Sequence, residues 1–247
     1  IRREGERELE RASVALGWSG LAAGLSMGFS LFSTGAIRSM LPAAPWAPLV
    51  YNLGYTVGFL IVVLGRQQLF TENTLTPILP LLHRPGLSSL LNVLRLWAIV
   101  LATNLIGAGL FAFLLANSSA FDPAMVRAFH QLGLAVLTGS RQALFVRAIF
   151  AGWLIALMVW LLPIAGILRP LIIIILTYVV GIGGLSHIIA GSADALYAVA
   201  SGDASWTRFL GTFFWPTLLG NCIGGVALVA LLNFAQVAPD KKTPGKP

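Results

Sequence analysis

Several apolar runs in this chain are longer than the roughly 20 residues that an α-helix needs to cross a bilayer. Clear examples lie between positions 87 and 115 and between positions 141 and 162. The runs lack the alternating pattern of barrel strands, so we expect helical spans. Charged residues make up 10% of the chain and hydrophobic residues 57%, whereas a soluble domain carries about 25% charged residues. The sequence therefore predicts an all-α integral membrane protein without a separate soluble domain.

The apolar runs divide into six predicted spans, of which the second and the fifth contain too many polar residues to be straight helices. The spans cover residues 14–40, 47–82, 87–115, 141–162, 171–200 and 209–234. We expect breaks at Gly65–Thr74 and Ser186–Asp194, and a polar interruption at Asn221–Gly225 in the sixth span. Broken helices at membrane depth are tolerated only inside protein or beside a water-filled cavity. Breaks at matching positions of two three-span halves indicate a transport site between inverted repeats.

The chain ends differ from the apolar centre. Residues 1–12 predict an amphipathic helix outside the membrane, residues 13–236 the six-span transport domain, and residues 237–247 a tail. With the N-terminus inside, ten Lys and Arg residues fall on the inner side and five on the outer side, with Arg66 uncounted. The positive-inside rule then predicts that both termini are cytoplasmic. The sequence starts at Ile1 rather than at Met, which is compatible with an upstream segment.

His187 lies in the polar stretch Ser186–Asp194 of the fifth span. Ionisable residues within a span are costly and usually face a pathway or a protein interior, so we expect His187 to line a substrate pathway. The alternative is that the imidazole only forms a hydrogen bond across a helix interface.

Arg66, Glu72 and Asp194 are the other charged residues at this depth. We expect a buried ion pair of Arg66 with Glu72 or with Asp194. The alternative is that the charges neutralise backbone groups at the breaks. A cation pathway is less favoured, because two acids do not form a ring of charge.

Aromatic and apolar residues near the first break are candidates for a constriction. Tyr55 and Phe59 are four residues apart and share a helix face, and Leu69 and Phe70 lie in the break itself. Simple packing is the alternative for all four residues. Thr71 is positioned to form a hydrogen bond with a passing acid or with its own loop.

Enzymatic and metal-binding functions are not expected. The three histidines lie on different segments without ligand spacing, so we predict no metal and no cofactor. The sequence has no Gly-x-Ser-x-Gly elbow, phosphate loop or His-Glu-x-x-His motif. Its net charge of +7 is scattered and its aromatic residues lie in apolar segments, which argues against nucleic acid. The paired Asn-Pro-Ala motifs of aquaporins are absent.

Four stretches, taken in chain order, resemble the formate/nitrite transporter family. They are Leu69–Asn73, Ala156–Trp160, His187 in the broken fifth span, and Asn221–Gly225. The resemblance covers about residues 15–235. It implies an aquaporin-like protomer in a homopentamer of the bacterial inner membrane, with one pore per protomer and lipid in the centre. It also implies passage of small monovalent acids such as formate or nitrite, between hydrophobic constrictions on either side of the histidine.

The chain departs from the family pattern at several positions. Ser186 precedes the central histidine where the family has Glu, and Gly191 and Gly152 stand where it has Asn. The family's vestibule lysine has no counterpart, and Arg141 and Arg147 are the candidates to replace it. These changes remove polar partners beside the histidine, which indicates a divergent branch with altered selectivity.

The charge of the substrate decides the expected mechanism. An isolated charge in an apolar constriction is very costly, and crossing as the neutral acid removes that cost. Basic residues at the mouth would concentrate the anion, and water or His187 would supply a proton. A neutral imidazole that only donates a hydrogen bond is an equal alternative. The sequence thus predicts a channel or transporter for small monovalent anions or their acids. The alternatives are a non-conducting scaffold or sensor of the same fold, and a channel for a different small solute.

Overall fold

A computed structural model describes residues 1–231 of the chain, with side chains described up to residue 227. These residues form an all-helical bundle, as the sequence predicts. The predicted end of the sixth span at 232–234, the end of the transport domain at 236 and the tail at 237–247 lie outside the described residues.

The bundle consists of long helices joined by short turns and half-helices. The α-helices are α1 (Arg2–Glu10), α2 (Ser13–Ser39), α3 (Ala47–Tyr51), α4 (Tyr55–Leu64), α5 (Ile78–His83), α6 (Leu87–Ala116), α7 (Pro123–Ala135), α8 (Arg141–Leu161), α9 (Arg169–Ile182), α10 (Ile188–Ala200), α11 (Trp206–Arg208) and α12 (Trp215–Cys222). Short 3₁₀ turns lie at Glu72–Thr74, Leu162–Ile164 and Gly166–Leu168, and π-helical segments at Phe209–Phe214 and Ile223–Leu231.

Five stretches of the described residues are long and apolar enough to cross a membrane as helices. They are Ser13–Ser39, Ala47–Leu64, Leu87–Ala116, Arg141–Ile164 and Trp206–Ala227. The remaining predicted span is divided into α9 and α10, so the chain is a multi-pass membrane protein with broken second and fifth spans.

The predicted interruption at Asn221–Gly225 is wrong, because the helix continues through this stretch and changes only to π winding at Ile223. Gly224 lets the backbone of α8 approach closely, since a Cβ there would overlap the carbonyl of Ile149. The glycines here serve helix packing rather than a break.

The close contacts between long helices occur at equivalent places in the two halves. A Cβ at Gly24 of α2 would overlap the main chain of Asn104 in α6, and a Cβ at Gly152 of α8 would overlap that of Asn221 in α12. Small residues let these helix pairs approach closely enough for main-chain contact.

The N-terminal helix α1 lies against α5, the short helix that follows the break in the second span. Gly5 is buried there, since any side chain would meet the carbonyl of Thr76. Arg95 of α6 donates a hydrogen bond to the Leu9 carbonyl at 2.6 Å, which places a cation at the C-terminal end of α1. Gln68, in the first break, donates from Nε2 to Glu8 at 2.8 Å.

Candidate substrate pathway

Both broken spans end their first half with the same backbone turn. Gln67 and Leu185 each donate an N–H to a carbonyl five residues earlier, at 3.0 Å in both cases. The residue before each donor is in the left-handed region, with φ of 52° at Arg66 and 56° at Gly184. This pair of features is the Schellman arrangement that ends many helices.

An asparagine from a neighbouring long helix holds each break in place. In the first half, Asn104 accepts from Phe70 N at 2.9 Å and donates to the carbonyls of Gln68 and Gly20, each at 2.8 Å. A short break leaves backbone groups without helical partners, and a buried polar group without a partner is costly. One amide side chain therefore satisfies three buried backbone groups.

Asn221 does the same in the second half. It accepts from Ile188 N at 2.8 Å and donates to the carbonyls of Ser186 at 2.9 Å and Ala148 at 2.8 Å. The hydrogen bonds of this amide match those of Asn104 one for one, which relates the two halves residue by residue.

The sequence pattern singles out Asn221, as part of the stretch Asn221–Gly225, but not Asn104. A signal was present, because Asn104–Gly107 and Asn221–Gly224 both read Asn-x-Ile-Gly and lie at equivalent places in the two halves. Searching each half for the other's motif would have found it.

His187 connects the two breaks. Its Nε2 lies 2.7 Å from the Thr71 hydroxyl, across 116 residues of sequence. Its Nδ1 accepts hydrogen bonds from the backbone N–H groups of Ile189 at 3.2 Å and Ala190 at 3.1 Å, and so caps α10. A nitrogen that accepts carries no proton, so this geometry fixes the neutral imidazole with its proton on Nε2. Nε2–H then donates to Thr71.

Apolar side chains close the space around this hydrogen bond. The Phe59 ring packs edge-on against His187 with centroids 5.0 Å apart, and it lies 5.4 Å from the Tyr55 ring. Phe59 and Leu69 are completely buried, and Phe70 is 2% exposed. The chain is therefore sealed at the level of His187, and Thr71 and the imidazole are the polar groups inside the seal.

A cavity of about 180 Å³ lies on one side of this seal, toward α7, and we call it the outer cavity. Five of the predicted residues line it: Tyr55, Arg147, His187, Gly191 and Asp194. Arg147 places a positive charge and Asp194 a carboxyl group in the same space. Arg141 is absent from the lining and its guanidinium lies near Gly211.

A second cavity of about 680 Å³ lies at the opposite side of the seal, beside α1, and we call it the inner cavity. Arg66 and Glu72 line it, together with charged residues of α1 and Arg169. The predicted ion pair of Arg66 with Glu72 or Asp194 is wrong for residues 1–231, where the three ion pairs all lie elsewhere. The left-handed turn exposes Arg66 to the cavity instead of burying it.

The two glycines that the resemblance aligns with family asparagines, Gly152 and Gly191, have different surroundings. Gly152 packs on the main chain of Asn221, outside the lining of both cavities. Gly191 lies on the outer cavity, and a Cβ there would approach the Phe213 ring to 2.6 Å. Phe213 thus fills the room that a larger side chain at position 191 would need. Within residues 1–231, no group of three or more His, Cys, Asp and Glu residues is placed to hold a metal ion.

The sequence profile of the family described as "Formate/nitrite transporter" matches residues 1–235. The chain belongs to the formate/nitrite transporter family. It is 43% identical over 240 residues to "Inner membrane protein YfdC" of Escherichia coli (strain K12), which covers 97% of this chain and 77% of the relative. It is 26% identical over 224 residues to "Probable formate transporter" of Methanothermobacter thermautotrophicus, covering 81% and 78%.

Two solved structures share the fold of this chain. A chain described as "Pentameric formate channel with formate bound" superposes with a TM-score of 0.78 at 18% identity, covering 92% of this chain and 98% of that one. A chain described as "FNT family ion channel" superposes with a TM-score of 0.79 at 20% identity, covering 96% of both. The aquaporin-like architecture expected from the sequence is confirmed.

Proposed function

We propose that the chain conducts small monovalent anions, or their neutral acids, along a pathway through the outer cavity, His187 and the inner cavity. The observation that carries the proposal is the hydrogen bond between His187 Nε2 and the Thr71 hydroxyl, which joins the two breaks. A cavity large enough to hold water lies on each side of it. Family membership supports a transport function. The alternatives of a scaffold, a sensor or a channel for another solute predict no passage of such acids.

The solute is first attracted as an anion and then crosses the seal as a neutral acid. Arg147 in the outer cavity attracts an anion, because a cation in a narrow low-dielectric opening raises the local anion concentration. Full dehydration of a charge at the seal is prohibitively costly, so the solute crosses as the neutral acid. The acid takes its proton from the water of the cavity.

His187 acts as a positioning group in this mechanism rather than as the proton source. Its Nδ1 is occupied by the cap of α10, and its Nε2–H is directed to Thr71. The Thr71 hydroxyl accepts from the imidazole and keeps its own proton for donation to an oxygen of the passing acid. Phe59 and Leu69 exclude water from that step.

We further propose a homopentamer in the bacterial inner membrane, with both termini in the cytoplasm. The pentameric state of a formate channel of the same fold and the inner-membrane relative support the first two statements. The distribution of basic residues supports the orientation. In this orientation the outer cavity faces the periplasm, and membrane lipid fills the centre of the ring.

Uptake of labelled formate, nitrite, acetate and hydrosulfide into proteoliposomes, from acid to neutral pH, tests the proposal. We expect saturable uptake that increases as the pH falls, because more of the solute is neutral. No uptake of any of the four would favour the scaffold or sensor.

His187→Asn separates the two roles of the imidazole. Asparagine is a good N-cap residue, so α10 keeps its cap, but its short amide does not reach Thr71. We expect about a tenfold loss of flux, the equivalent of one hydrogen bond of about 1.4 kcal/mol, in a variant that still unfolds in one cooperative transition. Thr71→Val should give the same loss. Unchanged flux in both variants would remove this hydrogen bond from the mechanism.

A further inference from the structure

A third cavity lies beside the first half of α7, whereas the outer cavity lies beside its last turns, and the two cavities share no lining residue. The volume of the third cavity is about 530 Å³. The last turn of α2, the loop at 41–45, α3 and the first half of α7 line it. We call it the arginine cavity, because Arg38 of α2 and Arg127 of α7 both line it.

The lining of the arginine cavity is positively charged and contains no carboxylate. Within residues 1–231, neither Arg38 nor Arg127 belongs to an ion pair. The Arg38 guanidinium lies over the Tyr51 ring at 5.2 Å from its centroid, a cation–π contact that holds the group at the cavity wall. Two guanidinium groups thus share a space that supplies no counter-charge.

The walls of the cavity are rigid. Pro42, Pro45 and Pro48 fix the backbone of the loop that forms one side. Small side chains, among them Ala124 and Ala128 on α7, leave the space open. An open volume between rigid walls is typical of a preformed ligand site.

The helix dipole explains only one of the two arginines. Arg38 lies in the last turn of α2, where a cation is favourable without any ligand. Arg127 is the fifth residue of α7, beyond the first turn and far from the last, so the helix dipole gives it no such support. A bound anion accounts for both positions at once.

The guanidinium fork identifies the class of ligand. Its parallel N–H groups match two oxygens of a carboxylate or a phosphate. Met40 and Trp46 flank the cavity and are 79% and 49% exposed, and an exposed Trp at a helix end is typical of the membrane–water interface. At the membrane–water interface, an oxyanion is available either as the phosphate group of a lipid or as an anion dissolved in the water.

We propose that the arginine cavity binds an oxyanion, supplied by the phosphate of an anionic phospholipid or by a free anion of the same chemistry. Oxyanion binding in this cavity does not depend on conduction through the pathway, so its test is independent of the proposed function.

Two arms of one experiment distinguish the sources. In detergent, inorganic phosphate is titrated against the full chain by calorimetry. In nanodiscs of phosphatidylcholine with phosphatidylglycerol, lipid retained after extraction is counted by native mass spectrometry. The variants are Arg38→Gln, Arg127→Gln and the double variant, and Arg208→Gln removes one charge from the same end of the bundle outside the cavity.

We expect the double variant to weaken phosphate binding by at least tenfold, or to lose retained phosphatidylglycerol, with Arg208→Gln matching the wild type. If the double variant loses only phosphate binding in detergent, the ligand is a free oxyanion. If it loses retained phosphatidylglycerol, the ligand is the lipid. Arg38→Lys should restore the charge but only part of the binding, because the fork is lost. Equal behaviour of the double variant and Arg208→Gln in both arms would overturn the proposal. Arg127→Gln keeps the test valid if Arg38 variants unfold, because Arg127 is exposed.

Discussion

Between Val62 and Phe70, and again between Val180 and Ile188, the chain makes the same turn, held by the same kind of asparagine. The side chains that the two turns present are different. Where the second break has His187, the first has Leu69, so the proposed pathway is lined by one imidazole and one apolar side chain instead of two equal groups. The repeat therefore fixes the position of the backbone, and single side chains at equivalent positions determine the chemistry.

The support of the two breaks also differs four residues further on. In the first break, Asn73 donates to the Leu69 carbonyl at 3.2 Å and to Gln68 Oε1 at 2.9 Å. In the second, Gly191 has no side chain and the Phe213 ring occupies the space. One half is thus held by local polar contacts, and the other by an aromatic ring from a distant helix.

The largest expected effect tests what the halves share. Asn104→Ala and Asn221→Ala each leave three buried backbone groups without partners, at about 1–3 kcal/mol per group. We expect each variant to lose at least ~3 kcal/mol of unfolding free energy, seen as a much lower unfolding midpoint in detergent. Asn117→Ala, which removes an exposed bond within one helix, is the control. A large loss of stability for only one of the two variants would show that the hydrogen bonds of Asn104 and Asn221 are not equivalent.

The next effect tests how the halves differ. Gly191→Asn forces a side chain against Phe213, and overpacking of this kind costs about 1–3 kcal/mol. Adding Phe213→Ala should recover part of the lost stability, because the ring is the obstacle. The measurement is the unfolding midpoint of both single variants and the double variant. If the losses of stability of the two single variants add up in the double variant, the Phe213 ring does not occupy the space that an asparagine at position 191 needs.

A smaller effect concerns the left-handed residue of each turn. Gly184→Ala adds a Cβ at φ 56°, which costs about 1–2 kcal/mol. Arg66→Gly removes the same strain at φ 52° and should stabilise by roughly 1 kcal/mol. Opposite shifts of the unfolding midpoint are expected. A destabilising Arg66→Gly would mean that the arginine side chain contributes more than its backbone strain costs.

The smallest effect lies at the far end of α10. Asp203 accepts hydrogen bonds from His130 of α7 and from Ser201. Partial burial raises the pKa of Asp203, but the two hydrogen bonds and the His130 charge outweigh it, so the pKa lies below its usual value. The resulting stability is present above the ordinary carboxyl pKa of about 4 and is lost as the pH falls through the lowered native value.

Asp203→Asn should therefore lower the unfolding midpoint slightly near neutral pH, and the difference from the wild type should shrink as the pH falls below about 4. Thermal unfolding at a series of pH values measures this. Asp122→Asn is the control, because Asp122 caps α7 by local backbone contacts alone. A difference that grows on acidification would contradict the assigned direction.

Much of the fold is readable from local pattern. Apolar runs, prolines and the two polar stretches determined the spans and both breaks, because bilayer thickness limits helix length and unpaired backbone is intolerable in hydrocarbon. The interruption in the sixth span was predicted wrongly, since Asn221–Gly225 looks polar and flexible in isolation. Only the approach of α8 shows that the glycines make room for a neighbour.

The sequence by itself determined that His187 lies in a broken span and that the chain has two related halves. Tertiary structure alone decided which nitrogen of His187 carries the proton, that Arg66 forms no ion pair within residues 1–231, and that the Phe213 ring occupies the space beside Gly191. The reason is distance along the chain: the Thr71–His187 bond spans 116 residues and the Asn221–Ser186 bond 35. Local pattern specifies helices and their ends, whereas hydrogen bonds between distant segments depend on how those helices pack.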